Sequence, residues 1–403
     1  MKKVVALLVV VAILAIVAGV LVTQPLTTPA PRPAEKIYVG YAFCLTGPFA
    51  GPAEDGIKGI RDYIRIVNER GGVNGREIVL LIEDNEYKPE TTIRIFTRWK
   101  EQYKLSAFVT CGTHVVAAIY QMVAEARIPY SDTSMAGPFA DARKYPWYFP
   151  APLGSYTDHY RAFLKWFKDK WAGPRAPRLA IVWETKAFAP LVKPGVESYA
   201  KDLGYEVMVE VVEIGSTSAL EQMQRIKAYN ADVVATMLPP AETALVLRTA
   251  REVGLKAEFV NFLYSIYWEP LVERLGPLAE GTYFGAPFVP WGYDVPGMKD
   301  LLEAHRRFHP DDRHTTQYVS GWISAMVLVE ALRRAGDDLS GENVRRAWES
   351  ITNFDTKGLT PPLGFTPMDH RSTTTIWIWK IEGGKFVRVA EVTLPRDDGY
   401  LGK

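Results

Sequence analysis

Short β-branched runs alternate with helix-patterned stretches along most of this 403-residue chain, and the alternation starts over once. "KIYVGYAF" reads as a first strand. From Ile57 the apolar residues Ile57, Ile60, Ile64 and Val67 recur at helical spacing up to Gly71, a natural C-terminal cap. "REIVLLIED" is a second strand, and a helix opened by Pro89 carries Ile93, Phe96 and Trp99. "LSAFVTCGT" is a third strand; a helix with Val115, Ile119, Met122 and Val123 follows, then "RIPYSDTS". Strand, helix, strand, helix implies a parallel sheet with right-handed crossovers.

The pattern restarts with "PRLAIVWET", a helix over 192–203 and "GYEVMVEVVEI". A helix over 220–229 precedes "ADVVATML", and another over 241–253, capped by Gly254, precedes "AEFVNFL". The tail adds a helix over 318–335, a short one near Val344, and "TTIWIWKIEGGKFVRV" as a hairpin. Two successive α/β units fit the length, which is too great for one ordinary domain. Apolar residues at 48% and charged residues at 23% are enough to build two cores. The net charge of +1 argues against nucleic acid as a partner, since such surfaces carry a clustered basic excess.

The first residues are different. "MKK" precedes an uncharged apolar run from Val4 to Val22, then the Pro/Thr-rich spacer "TQPLTTPAPRPAEK". The run is long for a signal-peptide core and short for a bilayer span. Residues 1–24 are therefore a signal peptide or an N-terminal membrane anchor, and 25–35 a stiff stalk. Either way the lysines direct the body across the cytoplasmic membrane, to the extracellular face or a periplasm. Cys44 and Cys111, the only cysteines, each end a strand. They form a disulfide if those strands are neighbours and stay buried thiols if not.

Several motifs point elsewhere and fail on geometry. The glycines of "NERGGVNGREIVLLIEDN" follow a helix and precede a strand, the reverse of a phosphate cradle. "HRRFHPDDRH" has an arginine where a zinc protease needs glutamate, and Pro310 ends the helix, so it reads as a solvated helix end rather than a metal site. No G-x-S-x-G nucleophile elbow is present. Cys111 and His114 remain a candidate thiolate–imidazole pair for a hydrolase, although no orienting third group is evident. No cofactor motif is found. Small and hydroxyl residues cluster instead at the strand ends: "CLTGPFAG" with Thr46, "TCGTH" with Cys111, Gly112 and Thr113, and "SDTSMAG". The second unit's strand ends ("WETKAFAP", "MLPPAE", "NFLYSIYW") are apolar and aromatic. A polar mouth facing an aromatic one makes a small-molecule cleft between two lobes.

At this point the strings are similar to a known family. "IYVGYAFCLTGPFAG" followed by "GIKGIRDYIRIVNERGGVNGREIVLLIEDNEYKPETT" resembles the opening of the leucine/isoleucine/valine-binding proteins, the type I periplasmic solute-binding proteins of branched-chain amino-acid ABC transporters. The shared marks are Thr46-Gly47-Pro48, Asn68, Gly71-Gly72, Gly75-Arg76, Asp84 and Pro89, and the likeness runs to the last strand. It implies two Rossmann-like lobes joined by a three-strand hinge: 36–152 with 286–361, and 153–285 with 362–403. It also implies that the lobes close on a ligand and that an ABC permease receives it, with no catalysis. A sensory receptor-type binding protein is the alternative within the same fold.

The resemblance carries site residues over singly. Thr113 matches the hydroxyl that holds the ligand carboxylate, and Ser134, Met135 and Ala136 match the turn after the fourth strand, with alanine for the usual threonine. Phe188 matches an aromatic that closes over the ligand. Leu238-Pro239 replace a tyrosine-bearing segment, and the acid that pairs with an α-ammonium falls at Leu263, beside Tyr264. The family's loop disulfide is lost at Tyr87. A buried ammonium without its carboxylate costs several kcal/mol, so an α-amino acid fits poorly. The expected ligand has a carboxylate, amide or similar polar head on an apolar or aromatic body.

Overall fold

The computed structural model of the chain describes residues 35–396 and 398–403; the apolar N-terminal run and nearly all of the stalk lie outside the described residues. Among the described residues no helix is long and apolar enough to cross a membrane.

The first sheet is wholly parallel. Its strands are β1 (Ile37–Phe43), β2 (Ile78–Asp84), β3 (Leu105–Thr110), β4 (Tyr130–Asp132) and β5 (Tyr148–Pro150), in the order β2-β1-β3-β4-β5. Helices Ala50–Glu69, Pro89–Gln102 and Thr113–Glu125 make the crossovers. The Asn68 carboxamide donates to the Ile78 carbonyl at 2.8 Å and accepts from its N–H at 2.9 Å, fixing the end of the first helix to the start of β2. Gly72 makes the turn between them possible: its φ is +75°, and a Cβ there would lie 2.0 Å from the Arg76 carbonyl oxygen. The glycine-rich string is thus a cap and turn at the edge of the sheet opposite the strand ends.

The second sheet contains β6 (Arg178–Trp183), β7 (Glu206–Val211), β8 (Val233–Met237), β9 (Glu258–Asn261), β10 (Tyr283–Ala286), β11 (Thr375–Glu382) and β12 (Lys385–Thr393). The order is β12-β11-β10-β9-β8-β6-β7, parallel from β7 to β10 with an antiparallel hairpin added at β10. This is the two-sheet, doubly wound α/β architecture expected of the type I periplasmic-binding-protein fold.

The chain passes between the halves three times. After β5, helix Tyr156–Lys170 packs on β10 and β11; after β10, helices Pro296–Phe308 and Thr316–Ala335 pack on helix Ala50–Glu69; β11 then rejoins the second sheet. The passages meet around His159. Its Nε2 lies 2.8 Å from the Leu153 carbonyl, and the Gly154 N–H donates to Ser372 Oγ at 3.2 Å. A Cβ on Gly285 would lie 2.5 Å from the His159 carbonyl oxygen. Burial holds the His159 imidazole down to about 4. Beside it runs a buried ionic chain. Asp158 accepts from Arg161 at 2.6 Å and from Arg371 at 3.3 Å, and Arg371 also donates to Asp369 at 3.0 Å.

Helix Tyr156–Lys170 escapes a reading by periodicity because its first nine residues are all buried, Asp158, His159 and Arg161 included. Strands β5 and β10 are three and four residues long and buried throughout, so no polar–apolar alternation marks them. In "HRRFHPDDRH" the helix ends at Phe308 and Arg306, Arg307, Pro310, Asp311, Arg313 and His314 are exposed, as expected of a solvated helix end, but one residue of the string turns inward. His305 is buried among Trp291, His314 and Tyr318, His314 stacks on Trp291 with centroids 4.7 Å apart, and His309 Nε2 lies 3.0 Å from Asp62.

Candidate functional site

Carboxylates at the strand ends tie down the loops that form the mouth. Asp84 accepts from the Leu45 and Thr46 N–H groups (3.0 and 3.2 Å), from Thr46 Oγ1 (2.8 Å) and from the Glu86 N–H (2.8 Å). In the second half Glu184, fully buried, accepts four backbone N–H groups: Lys186 and Ala187 at 2.6 Å, Phe188 at 2.9 Å and Ala189 at 2.8 Å. Such charge-assisted bonds fix the bend that leads from β6 into the single 3-10 turn Ala189–Leu191. Asp132, at the end of β4, accepts from the Gly112 N–H at 3.2 Å, the Ser134 N–H at 2.5 Å and the Thr110 hydroxyl. Burial pushes its carboxyl up to about 6, partly offset by these donors.

Cys44 and Cys111 sit at the ends of neighbouring strands, with Cα atoms 5.4 Å apart, and are joined by a disulfide. Cys111 therefore offers no thiolate. The His114 ring turns instead to Tyr87, with Nε2 3.0 Å from its carbonyl, and the Cys111/His114 hydrolase reading loses its nucleophile.

The loops converge on one cavity at the facing strand ends. Its roof is aromatic: Phe188 stacks on Phe262 (centroids 4.1 Å), Phe262 meets Tyr156 at 4.8 Å, and Phe49 reaches both phenylalanines edge-on at 6.2 and 6.3 Å. Tyr156 and Tyr264 both donate to the Thr133 carbonyl, at 3.1 and 3.4 Å, and Trp268 Nε1 donates to Asp55 at 3.1 Å. These contacts draw the two halves together over the cavity.

Of the residues expected at the site, Cys111, Gly112, Thr113, Phe188 and Tyr264 line this cavity. Thr46 does not; it is exposed and its hydroxyl is taken by Asp84. Ser134, Met135 and Ala136 lie behind the wall. Ser134 Oγ bonds Thr113 Oγ1 at 2.7 Å, and the Met135 carbonyl accepts from the Tyr156 N–H at 2.8 Å. Leu238, Pro239 and Leu263 are buried beneath the roof, where the Leu238 carbonyl accepts from the Ser265 and Thr243 hydroxyls. Sequence reasoning passed over Asp132, Tyr87, Phe49 and Tyr156, which line the cavity. Asp132 stands in the quoted string "SDTSMAG", so an acid at a strand end was the available signal. Among the described residues that line the cavity it is, apart from tyrosines, the only ionisable one, and no lysine, arginine or histidine is among them.

Two α/β halves with a roofed cavity at their facing strand ends define a two-lobed ligand-binding protein. Residues 36–385 match the sequence model of the periplasmic binding protein family, and the chain belongs to that family of solute-binding proteins. Among curated relatives, Leu/Ile/Val-binding protein homolog 7 of Brucella suis is 21% identical over 323 residues, covering 76% of this chain and 78% of its own. Among solved structures, a fatty acid ABC transporter substrate-binding protein from Thermomonospora curvata superposes with a TM-score of 0.82 at 23% identity, over 92% of this chain and 95% of its own. A branched-chain amino-acid ABC transporter protein from Thermus thermophilus, with bound valine, gives 0.82 at 22% identity, over 90% and 98%.

Proposed function

We propose that this protein is the extracytoplasmic solute-binding component of an ABC importer and performs no catalysis. It closes its lobes, 36–152 with 286–361 and 153–285 with 362–403, on an apolar solute and presents the closed form to a permease. The body is exported and held near the membrane by residues 4–22. Gly112, Thr113, Phe188 and Tyr264 touch the ligand directly, while Ser134, Met135, Ala136, Leu238, Pro239 and Leu263 set the walls behind them.

The observation that carries the ligand class is the charge inventory of the cavity. A carboxylate would find no cation there, and the N–H groups of Gly112 and Ser134 are already bonded to Asp132. An α-ammonium would find the buried Leu263 under the roof where the amino-acid binders carry an acid. The head group is therefore uncharged and hydrogen-bonding: an amide, or an acid bound in its protonated form. The aromatic roof takes an apolar body. In that respect the Thermomonospora neighbour's fatty acid is a better guide than the Thermus neighbour's valine.

Thermal-shift screening against leucine, valine, linear amides, aliphatic acids and aromatic acids tests this. The amides and acids are expected to raise Tm by several degrees and the amino acids to leave it unchanged. A strong response to leucine or valine overturns the reading.

A further inference from the structure

The cavity does not stop at the cleft. It continues into the first lobe, beneath helices Ala50–Glu69 and Thr316–Ala335, where Gln317, Ser320, Gly321, Ser324 and Leu328 form one helical face of its wall. Those positions run from Gln317 to Leu328, eleven helical steps and about 16 Å of length, far more than an amino-acid side chain needs. The unfilled space of the whole cavity totals about 910 Å³, including the part open to solvent. The serine hydroxyls on this face turn back on their own helix, Ser320 to the Gln317 carbonyl at 2.8 Å and Ser324 to the Ser320 carbonyl at 2.9 Å, and leave the wall weakly polar.

The floor is different. Tyr41, Val109 and Ser131 are register partners on β1, β3 and β4 and form a row across the sheet on the face that lines the chamber. The Tyr41 side chain is 2% exposed and Ser131 is 8% exposed. Among the described residues neither hydroxyl has a hydrogen-bond partner, and the buried indole N–H of Trp348, another lining residue, has none. Two unpartnered hydroxyls open to the chamber, beside one buried indole N–H that also lacks a partner, are the mark of a place where something polar sits.

We infer that the chamber takes the far end of an unbranched alkyl chain carrying a second hydrogen-bonding group, such as a hydroxyl, that meets Tyr41 and Ser131. The ligand is then a linear chain polar at both ends, one end in the cleft beside Thr113 and Tyr87 and the other inside the first lobe. This rests on the proposed function and narrows its substrate class.

Calorimetric titration with hexanamide, decanamide and ω-hydroxydecanamide tests it, on the wild type and on Tyr41→Phe and Ser324→Phe. The expected order is ω-hydroxydecanamide tightest and hexanamide weakest. Tyr41→Phe, which removes only the hydroxyl, should cost the ω-hydroxy compound about tenfold and decanamide little. Ser324→Phe should block both ten-carbon compounds and spare hexanamide. Equal affinity across the series, or an unchanged ω-hydroxy preference in Tyr41→Phe, overturns the chamber while leaving the cleft reading intact. Binding of leucine with no response to any amide overturns both.

Discussion

Glu184 and Phe188 stand four residues apart, and the carboxylate of the first accepts the backbone N–H of the second at 2.9 Å. Through that bond and three like it, a residue that is absent from the cavity lining sets the position of the ring that roofs it. Glu184→Ala should free the loop, weaken ligand binding at least tenfold and lower stability by a few kcal/mol, since bonds to a charged acceptor contribute about 1.5–3 kcal/mol each and are not additive. Glu184→Gln keeps one acceptor oxygen and should fall between. Titration calorimetry with chemical denaturation decides it; unchanged affinity in the alanine variant would remove the loop from the binding argument.

The disulfide joins the ends of β1 and β3 at the mouth and closes a loop of 67 residues. Replacing both cysteines by serine should destabilise the protein by about 2–4 kcal/mol, chiefly by releasing the unfolded chain. Free-thiol titration of the folded wild type should find none. Two titratable thiols before unfolding would contradict the bond.

Asp132 gives stability a distinct pH dependence. Its folded-state carboxyl titrates near 6 against 3.8 in the ordinary group, so between about pH 4 and 6 the folded protein binds more protons than the unfolded chain. Its contribution to stability therefore falls as pH rises through that window and is flat above it, a loss on the order of 2–3 kcal/mol. Asp132→Asn retains an acceptor for Gly112 and Ser134 and should gain on the wild type as pH rises from about 4 to 6. Parallel stability curves for the two proteins would show that Asp132 does not titrate there.

Arg371 lies between Asp158 and Asp369 where the third passage meets helix Tyr156–Lys170, and it is 1% exposed. Arg371→Ala leaves Asp158 to Arg161 alone and Asp369 to Arg396 alone, and should cost a few kcal/mol by denaturant unfolding, less than the about 3–5 kcal/mol of a buried charge left with no partner. A loss below about 1 kcal/mol, the range of an exposed pair, would place the chain of charges in solvent.

Periodicity revealed both α/β units because their strands alternate with helices of clear polar and apolar faces. It failed at helix Tyr156–Lys170, whose buried half carries Asp158, His159 and Arg161, polar groups that only their partners on other segments make tolerable. The lining of the candidate cavity was legible where it depends on backbone and loop position, as at Gly112, Thr113 and Phe188. It was not legible where a residue's role depends on which way its side chain points. Leu263 and Tyr264 are adjacent, yet the first is buried under the roof and the second lines the cavity.

The sequence alone determined two parallel-sheet lobes, the position of the mouth at the strand ends, and a glycine-rich turn remote from it, because strand direction and helix spacing are local properties of the chain. Tertiary structure decided the rest. Whether Cys44 meets Cys111 depends on strand order, whether Asp132 reaches Gly112 depends on neighbouring strands, and whether Tyr41 packs as core or opens on a chamber depends on how closely two distant helices approach. Those are relations between segments far apart in the chain, and no stretch of residues carries them by itself.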